Sequence, residues 1–177
     1  IMENQIDTVQ EDSTNLNIQM RNKMATHIMR VEMPEGITRE IWENRGVMFL
    51  PSNEDIYRNL ENILHMIAKS YLKHNFDIDK EPITDFNLYE NNTFQNWSDQ
   101  AVMVPLKLVD PLYTMRMFFD DEGETVLKWG DKIDDHPLRP ATEETVKSEK
   151  GVMFIYPSYV KLVSQEGVKN YLEVNGK

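Results

Sequence analysis

Cysteine is absent from the 177 residues of this chain. Disulfides, thiolate metal sites and thiol nucleophiles are therefore excluded together. Glycine is scarce, and its seven residues stand singly, so no glycine-rich phosphate loop exists; no serine lies in a nucleophile elbow either. No apolar run approaches the ~20 residues of a membrane-spanning helix, and no membrane partner is expected. Positive charge is in deficit, with 19 Lys and Arg against 30 Asp and Glu and a formal net charge of -11. A molecule of that sign repels phosphate backbones, which argues against nucleic acid as a partner. No charged-then-apolar leader opens the chain, so a cytosolic protein is expected. The start at Ile1-Met2 indicates that the numbering need not begin at the natural initiator.

What is present has the composition of a folded domain. Hydrophobic residues make up 40% and charged residues 28% of the chain, enough apolar surface for a core, and the length suits one domain. Residues 1–22 are rich in Gln, Asn, Asp and Glu, with a weak alternation at Leu16, Ile18 and Met20. They read as a polar arm, either disordered or laid as an edge strand along something else, such as another subunit. Residues 23–177 read as one domain.

Within it, residues 24–33 read as a strand ending at Pro34-Glu35-Gly36, residues 38–44 as a short helix, and residues 47–50 as a buried strand before Pro51. The clearest element is a helix over about 53–73. Ser52 stands at its cap with Asp55 three residues on, and Ile56, Leu60, Ile63, Leu64, Ile67 and Tyr71 form one apolar stripe. Strands then follow at 83–89, 101–109, 115–119, 125–129, 152–156, 159–163 and 171–174, separated by turn compositions such as Asn91-Asn92 and Gly130-Asp131. Pro105 puts its strand at an edge or a bulge. So many short strands predict a sandwich or barrel.

The chemistry-bearing residues are few. Histidines stand at 27, 65, 74 and 136, none at metal-binding spacing from another. Carboxylates cluster at Asp120-Asp121-Glu122-Gly123-Glu124 and at Asp131, Asp134 and Asp135. Such oxygens suit calcium, yet the spacing is not that of an EF-hand, and solvated turns are the plainer reading. Trp42, Trp97 and Trp129 read first as packing residues.

The helix, then Tyr89-Glu90-Asn91-Asn92-Thr93-Phe94-Gln95-Asn96-Trp97-Ser98-Asp99, then a strand-rich run ending in Lys150-Gly151-Val152-Met153-Phe154-Ile155-Tyr156-Pro157-Ser158, resembles the iron(II)/2-oxoglutarate dioxygenases of the prolyl-hydroxylase type, in forms often encoded by phages. The resemblance implies a mainly β, antiparallel double-stranded β-helix, or jelly roll, with a flanking helix. It also implies where a metal triad would stand, and there the chain departs from the family. Trp97-Ser98-Asp99 keeps the carboxylate of the His-x-Asp pair without the imidazole, Leu162 lies nearest the distal histidine, and Lys169 is left as the cosubstrate's carboxylate partner.

The leading expectation is accordingly an oxygenase-like jelly roll that does no catalysis and needs no cofactor. It would be a structural or interaction protein of a phage virion, such as a neck, tail or capsid-associated subunit, assembling with protein subunits through its arm. It would reside in the virion or the host cytoplasm. The alternative is a divergent oxygenase using iron(II) and 2-oxoglutarate, with Asp99 and His136 at the metal and Lys169 on the cosubstrate. A further alternative is a glycan-binding jelly roll with Trp97, Trp129 and Tyr159 as stacking faces.

Overall fold

Two periodicities, one of two residues and one of three to four, divide the protein into sheet and helix. The computed structural model describes residues 5–11, 16–22, 27–95, 107–130 and 142–177. Its elements are β1 (Gln5–Glu11), β2 (Leu16–Asn22), β3 (Met29–Glu32), α1 (Glu35–Glu43), α2 (Glu54–Phe76), β4 (Thr84–Glu90), β5 (Thr93–Phe94), β6 (Tyr113–Phe118), β7 (Glu124–Lys128), β8 (Glu143–Lys147), β9 (Val152–Pro157), β10 (Lys161–Glu166) and β11 (Tyr171–Gly176). One sheet runs in the order β1-β2-β3-β9-β6-β11-β4-β5, and a second in the order β10-β7-β8. Every pairing is antiparallel. The protein is thus mainly antiparallel sheet with one long helix, and among the described residues the sheets do not close into a barrel.

Side chains alternate across a strand, and the large sheet uses both of its faces. Met29, Val31, Phe86, Leu88, Met115, Met117, Met153, Ile155, Leu172 and Val174 join α2 in one buried cluster. The helix supplies Leu60, Ile63, Leu64, Ile67 and Tyr71 to it, the stripe expected from the sequence, with Ile56 packed at its margin. Each such aliphatic side chain contributes roughly 1.5–3 kcal/mol by leaving water. A second cluster, built around Phe118, Leu127, Val146, Phe154 and Tyr156, joins the opposite face to the small sheet.

Helix α2 differs at both ends from the sequence expectation. A 3-10 turn over Pro51–Asn53 precedes it, and Asn53, not Ser52, is the cap residue, without a side-chain capping bond. The Asn53 amide instead donates to the Val47 carbonyl at 2.8 Å. At the far end Asp77 adopts the left-handed conformation, and the N–H groups of Asp77 and Ile78 close on the carbonyls of Lys73 and Leu72 at 3.1 and 3.2 Å. The helix therefore runs to Phe76.

Other elements also move. Residues 47–50 are turns rather than a strand, with Val47 and Leu50 N–H groups bonded to the Asn44 and Val47 carbonyls, yet Met48 and Phe49 are buried. A short apolar run does not distinguish buried turn from buried strand. Pro34 is the cap of α1, so the Pro-Glu-Gly segment starts a helix instead of a plain turn. The expected strand at 159–163 shifts to β10 because Ser158 and Tyr159 form the turn after Pro157. In the expected strand at 101–109, residues 101–106 lie outside the described residues, as does Pro105, and 107–109 are not strand. Strand β8 escaped the sequence reading because, of Glu-Glu-Thr-Val-Lys, only Val146 is buried.

Residues 5–11 and 16–22 form an antiparallel pair, and β2 continues onto β3 from Gln19↔Glu32 to Asn22↔Met29. The polar arm thereby extends the large sheet of its own chain. No helix among the described residues is long and apolar enough to cross a membrane.

Candidate functional site

The face of the large sheet turned away from α2 carries polar groups in register. Asn87, Glu173, Arg116 and Phe154 stand in one row across β4, β11, β6 and β9. Asp85, Asn175, Thr114 and Tyr156 form the next row. Tyr89, Tyr171 and Phe118 lie on the other side of the Arg116 row, with the Tyr89 and Tyr171 rings stacked at 4.5 Å.

Arg116 is the centre of this face and is 7% exposed. Its Nε donates to Tyr156 Oη at 3.0 Å and its Nη2 to Glu173 Oε2 at 2.6 Å, while the guanidinium lies 5.0 Å from the centroid of the Tyr171 ring. Nη1 is buried and has no hydrogen-bond partner among the described residues. Burial opposes the charge of Arg116, but Tyr156 and Glu173 outweigh it and its pKa is raised. Burial also raises the pKa of Tyr156, against the pull of Arg116. The pair is thus a fixed cation and a neutral phenol, which suits hydrogen bonding to a ligand better than proton transfer near neutral pH.

The neighbouring polar groups satisfy one another. Asn175 donates from Nδ2 to Glu173 Oε1 at 3.3 Å and accepts from Thr114 Oγ1 at 3.0 Å. Buried Asp85 accepts from Asn87 Nδ2 at 3.1 Å and from the backbone N–H groups of Asn175 and Leu108, each at 3.0 Å. Beside these rows opens a cleft of about 610 Å³ whose lining includes Asp110, Leu112, Thr114, Tyr156, Ser158 and Lys161. Tyr156 and Thr114 belong both to the cleft wall and to the polar face. At the cleft rim Tyr159 is half-exposed, and its hydroxyl meets His27 Nδ1 at 3.1 Å.

The residues singled out in the sequence are dispersed. Asp99 and His136 lie outside the described residues, as do Trp97, Ser98, Asp131, Asp134 and Asp135. Lys169 sits in the turn before β11 rather than on it, exposed, with its ammonium 3.2 Å from Glu122. Leu162 packs on the second cluster and contributes to the cleft. Trp129 packs against the second cluster, and Trp42 against Phe119 at 4.9 Å. Gly151 opens β9 with a φ of 79°, and Tyr156-Pro157 ends it, the frame that the sequence motif implied.

The acidic segment is organised as a turn. Asp120 accepts from the Glu122 N–H at 2.9 Å and from Asn170 Nδ2 at 2.8 Å, and Asp121 accepts from the Lys150 N–H at 2.8 Å. Among the described residues no group of three or more His, Asp or Glu side chains is placed to hold a metal ion. His65 bonds to Thr84 Oγ1 at 2.9 Å, and burial lowers its pKa against the opposing pull of Glu61 and Glu81.

Sequence reasoning missed Arg116, Glu173 and Asp85. Their signal was weak but present: Arg116 stands between Met115 and Met117, and Glu173 between Leu172 and Val174. A charge at an alternate position of an otherwise apolar strand is either solvent-facing or part of a buried network.

No family model matches the chain, and no curated protein matches it. Among solved structures it is similar to the N-substituted L-amino acid dioxygenase from Burkholderia ambifaria AMMD, at 11% identity and a TM-score of 0.38, over 99% of this chain and 94% of that one. At that level neither activity nor family follows from the likeness.

Proposed function

We propose that the protein is a jelly roll without catalysis, acting as a structural or interaction subunit of the kind found in a phage neck, tail or capsid. The observation that carries this reading is the Arg116–Glu173 pair at 2.6 Å on the face between the sheets. That central position is filled by two side chains that neutralise each other, with Tyr156 accepting from Arg116 Nε and Asn175 donating to Glu173 Oε1. The strand order supports the jelly roll, because β6 to β7, β8 to β9, β9 to β10 and β10 to β11 each pass from one sheet to the other. Strand β1, at the end of the large sheet, supports engagement of a protein partner through residues 1–22, since an edge strand is a template for pairing. Residence in a virion or host cytoplasm belongs to this reading.

The second reading is a divergent oxygenase with iron(II) held by Asp99 and His136 and 2-oxoglutarate by Lys169. It is favoured by the cleft of about 610 Å³, which has room for a small organic acid. The one described member of that set, Lys169, is directed to Glu122 and does not fit the cosubstrate role as it stands. Calorimetric titration of manganese into metal-stripped protein, with and without 2-oxoglutarate, separates the two. The first reading expects no binding heat in either condition. Saturation near one equivalent, strengthened by 2-oxoglutarate and abolished by Asp99→Ala, would replace it with the second.

A further inference from the structure

In an antiparallel ladder the N–H and C=O groups of every second residue bond to one neighbour, and those of the residues between point to the other side. Two bonds bracket β8: the Trp129 N–H donates to the Thr142 carbonyl at 2.9 Å, and the Ser148 N–H to the Gly123 carbonyl at 3.0 Å. Thr125↔Val146 and Leu127↔Glu144 follow between them in register, so residues 142, 144, 146 and 148 bond towards β7. The N–H and C=O groups of Glu143, Thr145 and Lys147 therefore point away from it. Among the described residues β8 ends its sheet, and these three residues are exposed.

An edge of this kind is a template for another strand, and its charges limit which one. On the outer face of the small sheet Lys147 stands opposite Glu124 of β7, Thr145 opposite Val126 and Glu143 opposite Lys128. A second β8 laid antiparallel about Thr145 continues that alternation. Glu143 of each copy then meets Lys147 of the other, and the two Thr145 residues meet at the axis. Parallel pairing would set like charges opposite at both ends, and a shift by two residues loses both charge pairs. On the inner face each Glu144 falls opposite Val146 of the other copy, so no like charges meet there.

We propose that β8 is a self-association edge, at which two copies of the chain pair β8 with β8 about a two-fold axis at Thr145 and join their small sheets into one. The interface is isologous, because the outward N–H and C=O groups of Glu143, Thr145 and Lys147 on each copy meet their counterparts on the other. The seam is a single strand of 5 residues on each side, well short of the ~1,200 Å² of a stable interface. The formal charge of -11 on each copy also opposes the approach. The dimer is therefore transient. The inference does not rest on the arm, since β1 and β8 end different sheets.

The test is sedimentation velocity on the full chain over about 0.01 to 1 mM protein, the range suited to a small transient interface, at about 0.15 M salt to screen the net charge. Reversible dimerisation is expected. Hydrogen exchange at the 143, 145 and 147 amides should slow as the protein concentration rises, while exchange at 144 and 146 stays unchanged. Lys147→Glu should weaken dimerisation about tenfold or more, because two pairs turn from attraction to repulsion, and adding Glu143→Lys should restore it. Thr145→Pro removes the central outward N–H, a position at which an edge strand tolerates proline, and should abolish dimerisation. Should Thr145→Pro fail to fold, Lys147→Glu and its double variant carry the test. A monomer across the whole range would overturn the proposal. So would a dimer that Lys147→Glu leaves unchanged, or one lost only when residues 1–22 are removed.

Discussion

Arg116 Nη2 and Glu173 Oε2 stand 2.6 Å apart across β6 and β11, directly opposite in register and 57 residues apart in sequence. The two side chains are only 9% and 21% exposed, so each is poorly compensated by water if the other is removed. Glu173→Leu is expected to destabilise the fold by about 3–5 kcal/mol, because it leaves a buried cation unpaired. Adding Arg116→Met should restore most of that loss, as an apolar pair needs no compensation. Urea unfolding of both variants checks this; a double variant as unstable as the single one would show that the pair itself stabilises.

The contact of α2 with the large sheet gives a second prediction. Ile67 is fully buried in the cluster that includes Met115, Ile155 and Val174. Ile67→Ala should destabilise by about 2–5 kcal/mol through lost burial and the cavity left behind. Lys69→Ala, one turn-face away at an exposed ion pair with Glu81, should change stability by less than about 1 kcal/mol. Thermal unfolding of the two variants side by side measures the difference.

His65 supplies a pH dependence. Its folded-state pKa lies below the ordinary value, so the unfolded chain binds the proton more readily than the folded one. Its contribution is complete above the ordinary histidine pKa of about 6.5 and is lost as the pH falls through that value towards the lower folded one. His65→Gln keeps a group able to bond Thr84 and removes the titration. The stability advantage of the native chain over this variant should therefore shrink between about pH 7.5 and pH 5.5, followed by urea midpoints at each pH.

Gly123 has a φ of 96°, and a Cβ there would stand 2.7 Å from the Glu166 carbonyl oxygen and against the backbone of Gly167 and Val168. Gly123→Ala should lower stability by about 2–3 kcal/mol, since backbone on both sides must shift. Gly36, within α1, has open space where a Cβ would stand, with nothing within 4 Å. Gly36→Ala should be neutral or stabilising by up to about 1 kcal/mol. Equal effects at the two positions would contradict the close approach of the 123 and 167 turns.

The elements that were legible in the sequence are those whose pattern is local. The stripe from Ile56 to Tyr71 announced α2, and the apolar runs announced β6, β7, β9 and β11 with boundaries shifted by one or two residues. Residues 47–50 and β8 were not legible, for opposite reasons. Met48 and Phe49 are apolar because Tyr57 and α2 cover a turn, whereas β8 is polar because the small sheet ends there.

By itself the sequence determined a chain of short strands around one amphipathic helix, with no thiol chemistry and a strongly negative charge. These follow from composition and from repeats of two and three to four residues, which neighbouring residues carry between them. Only the tertiary structure decided that Arg116 meets Glu173 and Tyr156, and that a cleft opens beside them. Strand register sets which side chains share a face, and here it joins residues 40 and 57 positions apart. A one-residue slip would turn each of them to the opposite side of the sheet, and no local pattern records which register is formed.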